Sequence, residues 1–191
     1  MSAGTMITLA ADRVVMGRQS QLGPIDPQFI FGGRSLSAQA VVDQFERAKG
    51  EIKADMALAH VWAPILSTIG PALLQEAQNA LAYGEQMVAR WLEHYMFRGA
   101  SDAATKAAAT AKHFNDATIH KSHGRRIDRA EARQHGVVIE DLEANQKLQE
   151  EVLTAYHLIT ITIEKSPVVK LMLNDAGRAW VKNWTGNPAT S

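Results

Sequence analysis

Ser2 is the first side chain in this 191-residue sequence able to do covalent chemistry. Small residues at 2–4 and an apolar run with no breaker through Ala11 predict a tight turn feeding a short buried helix, with Ser2 at its N-terminus. Free backbone N–H groups near Ala3 and the positive end of the helix dipole would suit a developing oxyanion there. Serine is equally favoured at that place as a helix cap, so cap and nucleophile both stand. Asp26 lies in the stretch Leu22-Gly23-Pro24-Ile25-Asp26-Pro27-Gln28, whose glycine and two prolines restrict the backbone. It is either a turn-stabilising side chain or a member of a catalytic group. His120 and His123 are spaced by three, but no Cys, Asp or Glu lies in ligand register beside them, so no metal is expected there. An imidazole does have the ordinary pKa of a base near neutrality.

The elements that must position these groups follow from patterning. Arg13 to Met16 predicts a buried β-branched strand ended by Gly17-Arg18, and Phe29 to Ser35, with Gly32-Gly33, a loop. Ser37 is placed to cap an amphipathic helix over 38–53. Pro71 opens a helix whose apolar positions continue to Phe97, long enough to pack either along its own domain or on another subunit. An alanine-rich helix is expected over 103–113. Asp128 is expected to cap a helix over 129–134, Gly136 to end it, and 137–139 to form a strand. The last third predicts a helix over 143–156, a strand over 159–163 and a hairpin turning at 174–177. Trp180 and Trp184 are expected to cover the core edge, and 185–191 to form a mobile tail after a single domain over 1–184.

Composition narrows the function classes. The chain is 46% hydrophobic, enough for one substantial core. Lys+Arg and Asp+Glu number 20 each, so no global field steers nucleic acid, and no nucleic-acid partner is expected. There is no cysteine, which removes disulfides and thiolate catalysis. No apolar run of about 18 residues exists to span a bilayer. The chain as written reads as cytoplasmic, with membrane association left to an upstream anchor.

Ser2-Ala3-Gly4-Thr5 with its apolar helix, Ala11-Asp12-Arg13-Val14-Val15-Met16, and Ser20-Gln21-Leu22-Gly23-Pro24-Ile25-Asp26-Pro27-Gln28 together resemble the Clp-fold serine proteases. The likeness is strongest to the prokaryotic serine dehydrogenase proteinase family, related to signal peptide peptidase A. Trp91 to Met96, His120 to Ile127 and Glu131 to Val137 extend it over most of the chain. The resemblance implies an α/β Clp/crotonase-like fold, C-terminal portion, helix-rich with short strands. It also implies that Ser2 is the nucleophile. The family's register brings His123 to the third catalytic position, so that a Ser2–His123 pair with Asp26 orienting the imidazole becomes one reading, and a loop held by hydrogen bonds of His123 and two arginines the other. His120 and His135 are expected to be surface or helix-end residues. Where membrane-bound relatives place a lysine base this chain has Gln39, and Lys49 and Lys53 are expected to be solvated.

The implied function is serine-type endopeptidase chemistry through an acyl-enzyme on Ser2, with Ala3 in the oxyanion hole, no cofactor, no metal, a peptide or protein substrate and a homo-oligomeric state. The family's strand and helix units, with a glycine-bearing oxyanion loop, precede the serine turn, whereas only Met1 precedes it here. Weak or no activity is therefore expected of a chain lacking the N-terminal part. The alternative is a non-catalytic scaffold of the same fold that oligomerises or binds a partner. Thioester chemistry on coenzyme A substrates rests on fold analogy alone.

Overall fold

Thr5 and Leu9, one turn apart on the first helix, are both buried. The helix built around them, α1 (Ser2–Leu9), is the apolar segment expected at the start of the chain. The computed structural model describes residues 2–31 and 33–184, the side chains of Ser2, Phe31, Arg34 and Pro71 excepted. Residues 185–191, expected as a tail, lie outside the described residues. The architecture is mixed α and β: eight helices and eight short strands among the described residues. The single domain expected over 1–184 separates into two compact units, Met1–Asp141 and Leu142–Ser191.

In the first unit, β1 (Val14–Met16) pairs in parallel with β6 (Ile139–Asp141), with Val14 opposite Ile139. Val14 and Met16 are buried and Val15 between them is exposed, so β1 is covered on one face, not buried on both as its apolar run suggested. β2 (Gln21–Leu22) pairs antiparallel with β5 (Ile127–Asp128). β3 (Gln28–Phe31) and β4 (Arg34–Ser37) form a hairpin where a loop was expected. Gly33 lies in the connection at φ 76°, a backbone region that favours glycine in tight hairpins.

Ser37 caps α2 (Ala38–Ala54), its Oγ accepting from the Ala40 N–H at 3.2 Å. A 3-10 turn at Met56–Leu58 leads into α3 (Ala59–Ser67) and then α4 (Pro71–His94). Ala77, Val88 and Leu92 fall on one face of α4 and are fully buried. That face packs on α2 and on α5 (Ala103–Asn115), so the long helix is used lengthwise within its own unit. α6 (Ala117–His120) and α7 (Arg129–Gln134) complete the unit. Its main core joins Leu9, Met16, Leu22, Leu92, Phe114 and Ile127. Each such fully buried large apolar side chain contributes about 1.5–3 kcal/mol.

In the second unit, α8 runs unbroken from Gln146 to Glu164, so the strand expected over 159–163 is helix. Asn145 nucleates it by accepting from the Leu148 N–H at 3.1 Å, and no Gly or Pro follows until Pro167. Once nucleated, a helix gains a hydrogen bond for each residue added, which outweighs the β preference of alternating Ile and Thr. Thr162 Oγ1 donates to the Leu158 carbonyl at 2.8 Å and is satisfied within the helix. β7 (Val168–Leu173) and β8 (Ala179–Asn183) form the expected hairpin, turning at Gly177 with φ 72°. Trp180 and Trp184, expected to cover a core edge, are instead 53% and 67% exposed.

Candidate active site

Leu22 and Ile127 face each other across the β2–β5 pair and both are buried. That pairing makes the segment 23–26 and the loop 121–126 leave the same edge side by side. The first segment is clamped twice: the Gly23 N–H donates to Thr5 Oγ1 at 2.9 Å, and the Ile25 N–H donates to the Phe114 carbonyl at 2.9 Å. Asp26 follows directly and is only 2% exposed.

The second loop is held as firmly. Asp116 caps α6, accepting from the Thr118 N–H at 2.9 Å and the Ile119 N–H at 3.2 Å. The Thr118 hydroxyl, with these two N–H groups, holds its carboxyl below the ordinary value. α6 ends at Lys121 with φ 58°, the one non-glycine residue in the left-handed region among the described residues. His120, expected as a surface or helix-end residue, is at a helix end and buried. Its Nε2 lies 2.7 Å from the His113 carbonyl, which can only accept, so Nε2 carries the proton and Nδ1 accepts from Arg125 Nη1 at 2.6 Å. Arg125 in turn donates to both oxygens of Glu131, at 2.8 and 3.1 Å.

These constraints bring together two of the residues singled out in the sequence. His123 Nδ1 stands 2.7 Å from Asp26 Oδ1, while Asp26 Oδ2 accepts from Gln28 Nε2 at 2.6 Å. A carboxylate accepts, so this bond puts the imidazole proton on Nδ1 and leaves Nε2 as the basic nitrogen. His123, whose side chain is 29% exposed, and Asp26 line a cleft of about 370 Å³ with Ser37, Gln39, Lys121 and Ser122. Lys49 and Lys53 are exposed, as expected.

Ser2 is the first residue of α1, and its side chain lies outside the described residues. Ala3, in the same first turn, is exposed. Thr5, one turn further, is the residue that fastens α1 to the segment carrying Asp26. Three hydroxyl residues line the cleft: Ser37 Oγ is engaged as the α2 cap, Thr118 Oγ1 donates to Asp116 Oδ1 at 2.5 Å, and Ser122 Oγ accepts from the Gly124 N–H at 3.2 Å.

A further cluster went unnoticed in the sequence. His113, Glu131 and His135 each offer a donor atom, all within 4.8 Å of one another. Burial, and then the neighbouring His135 and His120, push His113 down to about 4 from its ordinary 6.5, so it is neutral near pH 7. Glu131 and His135 stand at i and i+4, the only local signal of the cluster. His113 comes from another helix and carries none.

No family model matches the chain, and no solved structure matches it. The chain is similar to an uncharacterized protein of Methanocaldococcus jannaschii, 35% identical over 92 residues. The match takes in 45% of this chain and 29% of that protein, so the chain spans under a third of the length of the relative it matches.

Proposed function

We propose that this chain is a serine-type peptidase of the Clp/crotonase-like kind, with His123 as general base and Asp26 as the group that orients it. The observation that carries this reading is the 2.7 Å contact between His123 Nδ1 and the buried carboxyl of Asp26, at the wall of an open polar cleft. A buried acceptor behind one imidazole nitrogen, with the other nitrogen left for the cleft, is the arrangement needed to take a proton from a hydroxyl. Ser2 is the proposed nucleophile. Its Oγ forms a bond to the peptide carbonyl carbon as its proton passes to His123 Nε2. That proton then goes to the leaving amine, and water repeats the sequence on the ester to release the acid and restore the serine. Backbone N–H groups of the first turn of α1, Ala3 included, are the proposed oxyanion donors. The expected substrate is a peptide or protein, and no cofactor takes part.

A fluorophosphonate probe tests the reading, since it labels a serine only where a base activates the hydroxyl. The expected result is weak or no labelling of this chain alone and, with any segment encoded in frame upstream restored, labelling that maps to Ser2, is lost in Ser2→Ala and His123→Ala, and persists in Ser37→Ala and Ser122→Ala. Should the chain stay unlabelled, including when extended upstream with any segment encoded in frame, the peptidase reading is wrong.

A second reading, a non-catalytic scaffold, is favoured by α8, which has no buried residue and exposes Leu153, Tyr156, Leu158 and Ile161. It requires Ser2→Ala and His123→Ala to leave function intact and a defined homo-oligomer to be seen by light scattering.

A further inference from the structure

His113 lies near the C-terminal end of α5 and is 8% exposed, yet its Nε2 is buried with no hydrogen-bond partner. A neutral imidazole nitrogen sealed from water and left unpaired costs about 1–3 kcal/mol, so it calls for an explanation. Glu131 Oε1 lies 3.5 Å away, in geometry that makes no hydrogen bond. Glu131 and His135 sit one turn apart on and just beyond α7, which turns both side chains toward the same side.

We propose that His113, Glu131 and His135 bind a divalent transition-metal cation of the zinc type, at a site that shares no residue with the cleft lined by Asp26 and His123.

The donor chemistry fits such an ion. Two imidazoles and one carboxylate form a borderline set that suits zinc, cobalt or nickel, and a fourth position is left for water. Donors about 2.0–2.1 Å from a tetrahedral zinc stand about 3.4 Å from each other. The 3.5 Å between His113 Nε2 and Glu131 Oε1 already matches that edge. His135 must move more. Its ring lies flat against that of His113, 3.3 Å between centroids and 5° from parallel, and nitrogen lone pairs lie in the ring planes. Binding therefore tilts the two rings apart so that both nitrogens converge on the ion. His135 is half-buried.

Arg125 supplies the outer support. Its paired hydrogen bonds fix the plane of the Glu131 carboxyl, as partners behind metal-bound carboxylates do. Oε1 keeps a second lone pair for the ion. The guanidinium also repels a cation, so the site suits an exchangeable ion better than a permanent structural one.

The test is titration of the EDTA-stripped full chain with Zn²⁺, and with Co²⁺ as a visible reporter. One equivalent is expected to bind, with Co²⁺ absorption typical of four or five ligands. His135→Ala and Glu131→Gln are each expected to weaken binding at least about tenfold, the loss that even an outer partner of a ligand causes. His123→Ala and His94→Ala should leave it unchanged. Because ligand variants can also disturb packing, Ni²⁺ added to the wild-type chain provides a second measure, with NMR broadening expected at the C-terminal end of α5 and along α7. Absence of saturable binding, equal affinity in His135→Ala and Glu131→Gln, or broadening centred elsewhere would overturn the proposal.

Discussion

His123 Nδ1 and Asp26 Oδ1 stand 2.7 Å apart although 97 residues separate them in the chain. The contact is made by two anchored loops, one fastened through Thr5 and Phe114, the other through His120 and Arg125. Asp26→Asn tests what the contact does. The replacement has nearly the same volume, but its amide can donate to Nδ1, which favours the tautomer with the proton on Nε2 and removes the base. On the proposed peptidase reading, turnover and fluorophosphonate labelling are expected to fall about 10⁴-fold, the loss that the same exchange causes in a serine–histidine–aspartate triad. The circular-dichroism melt should show a folded chain. Unchanged labelling in folded Asp26→Asn would deny Asp26 its orienting role.

Gly136 ends α7 at φ 93°, and a Cβ there would lie 2.8 Å from Thr110 Oγ1. That hydroxyl is not free to move, because it donates to the His135 carbonyl at 2.8 Å. Gly136→Ala is thus expected to cost about 1–3 kcal/mol from backbone strain and the forced displacement together. Chemical denaturation measures it. Thr110→Ala alone should cost about 1 kcal/mol, and the double variant should lose less than the two singles summed, since the shared clash is gone.

Much of this was legible where local chemistry decides structure. Ser37, Asp128 and Gly136 each mark a helix boundary by cap or left-handed turn, and the structure uses them so. The segment with Pro24 and Pro27 advertised stiffness, and stiffness is what holds Asp26. What escaped depends on tertiary partners. Residues 159–163 alternate like a strand, but a helix already nucleated at Asn145 runs through them. The cluster of His113, Glu131 and His135 joins α5 to α7, and only the Glu131–His135 spacing was available in the sequence. The pairing of His123 with Asp26 was one of two readings and came through the resemblance alone, because the β2–β5 ladder that makes it is two residues long and has no periodic pattern of its own.

His113 makes stability depend on pH in the metal-free chain. Its folded pKa is about 4 against an ordinary 6.5, because burial and the neighbouring His135 and His120 disfavour the cation. The unfolded chain therefore binds the extra proton first as pH falls. Stability present above about pH 6.5 is lost progressively down to about pH 4. Urea unfolding in EDTA at a series of pH values should show that slope, and His113→Phe should flatten it. An identical slope in both proteins would assign the dependence to other groups.

Lys121 holds its φ of 58° at the end of α6, two residues before His123. A side chain with a Cβ pays about 1–2 kcal/mol for the left-handed region, and glycine pays little. Lys121→Gly and Lys121→Ala both remove the ammonium group and differ in the backbone alone. Lys121→Gly is expected to be the more stable of the two by about 1 kcal/mol, read as the difference in denaturation midpoints at a common slope. The same pair separates strain from charge in the cleft: if the strained turn holds His123 at its working place, labelling of Ser2 slows in the glycine variant and not in the alanine one. Equal labelling in both, together with the stability gap, would make the turn a stored cost with no hold on the imidazole.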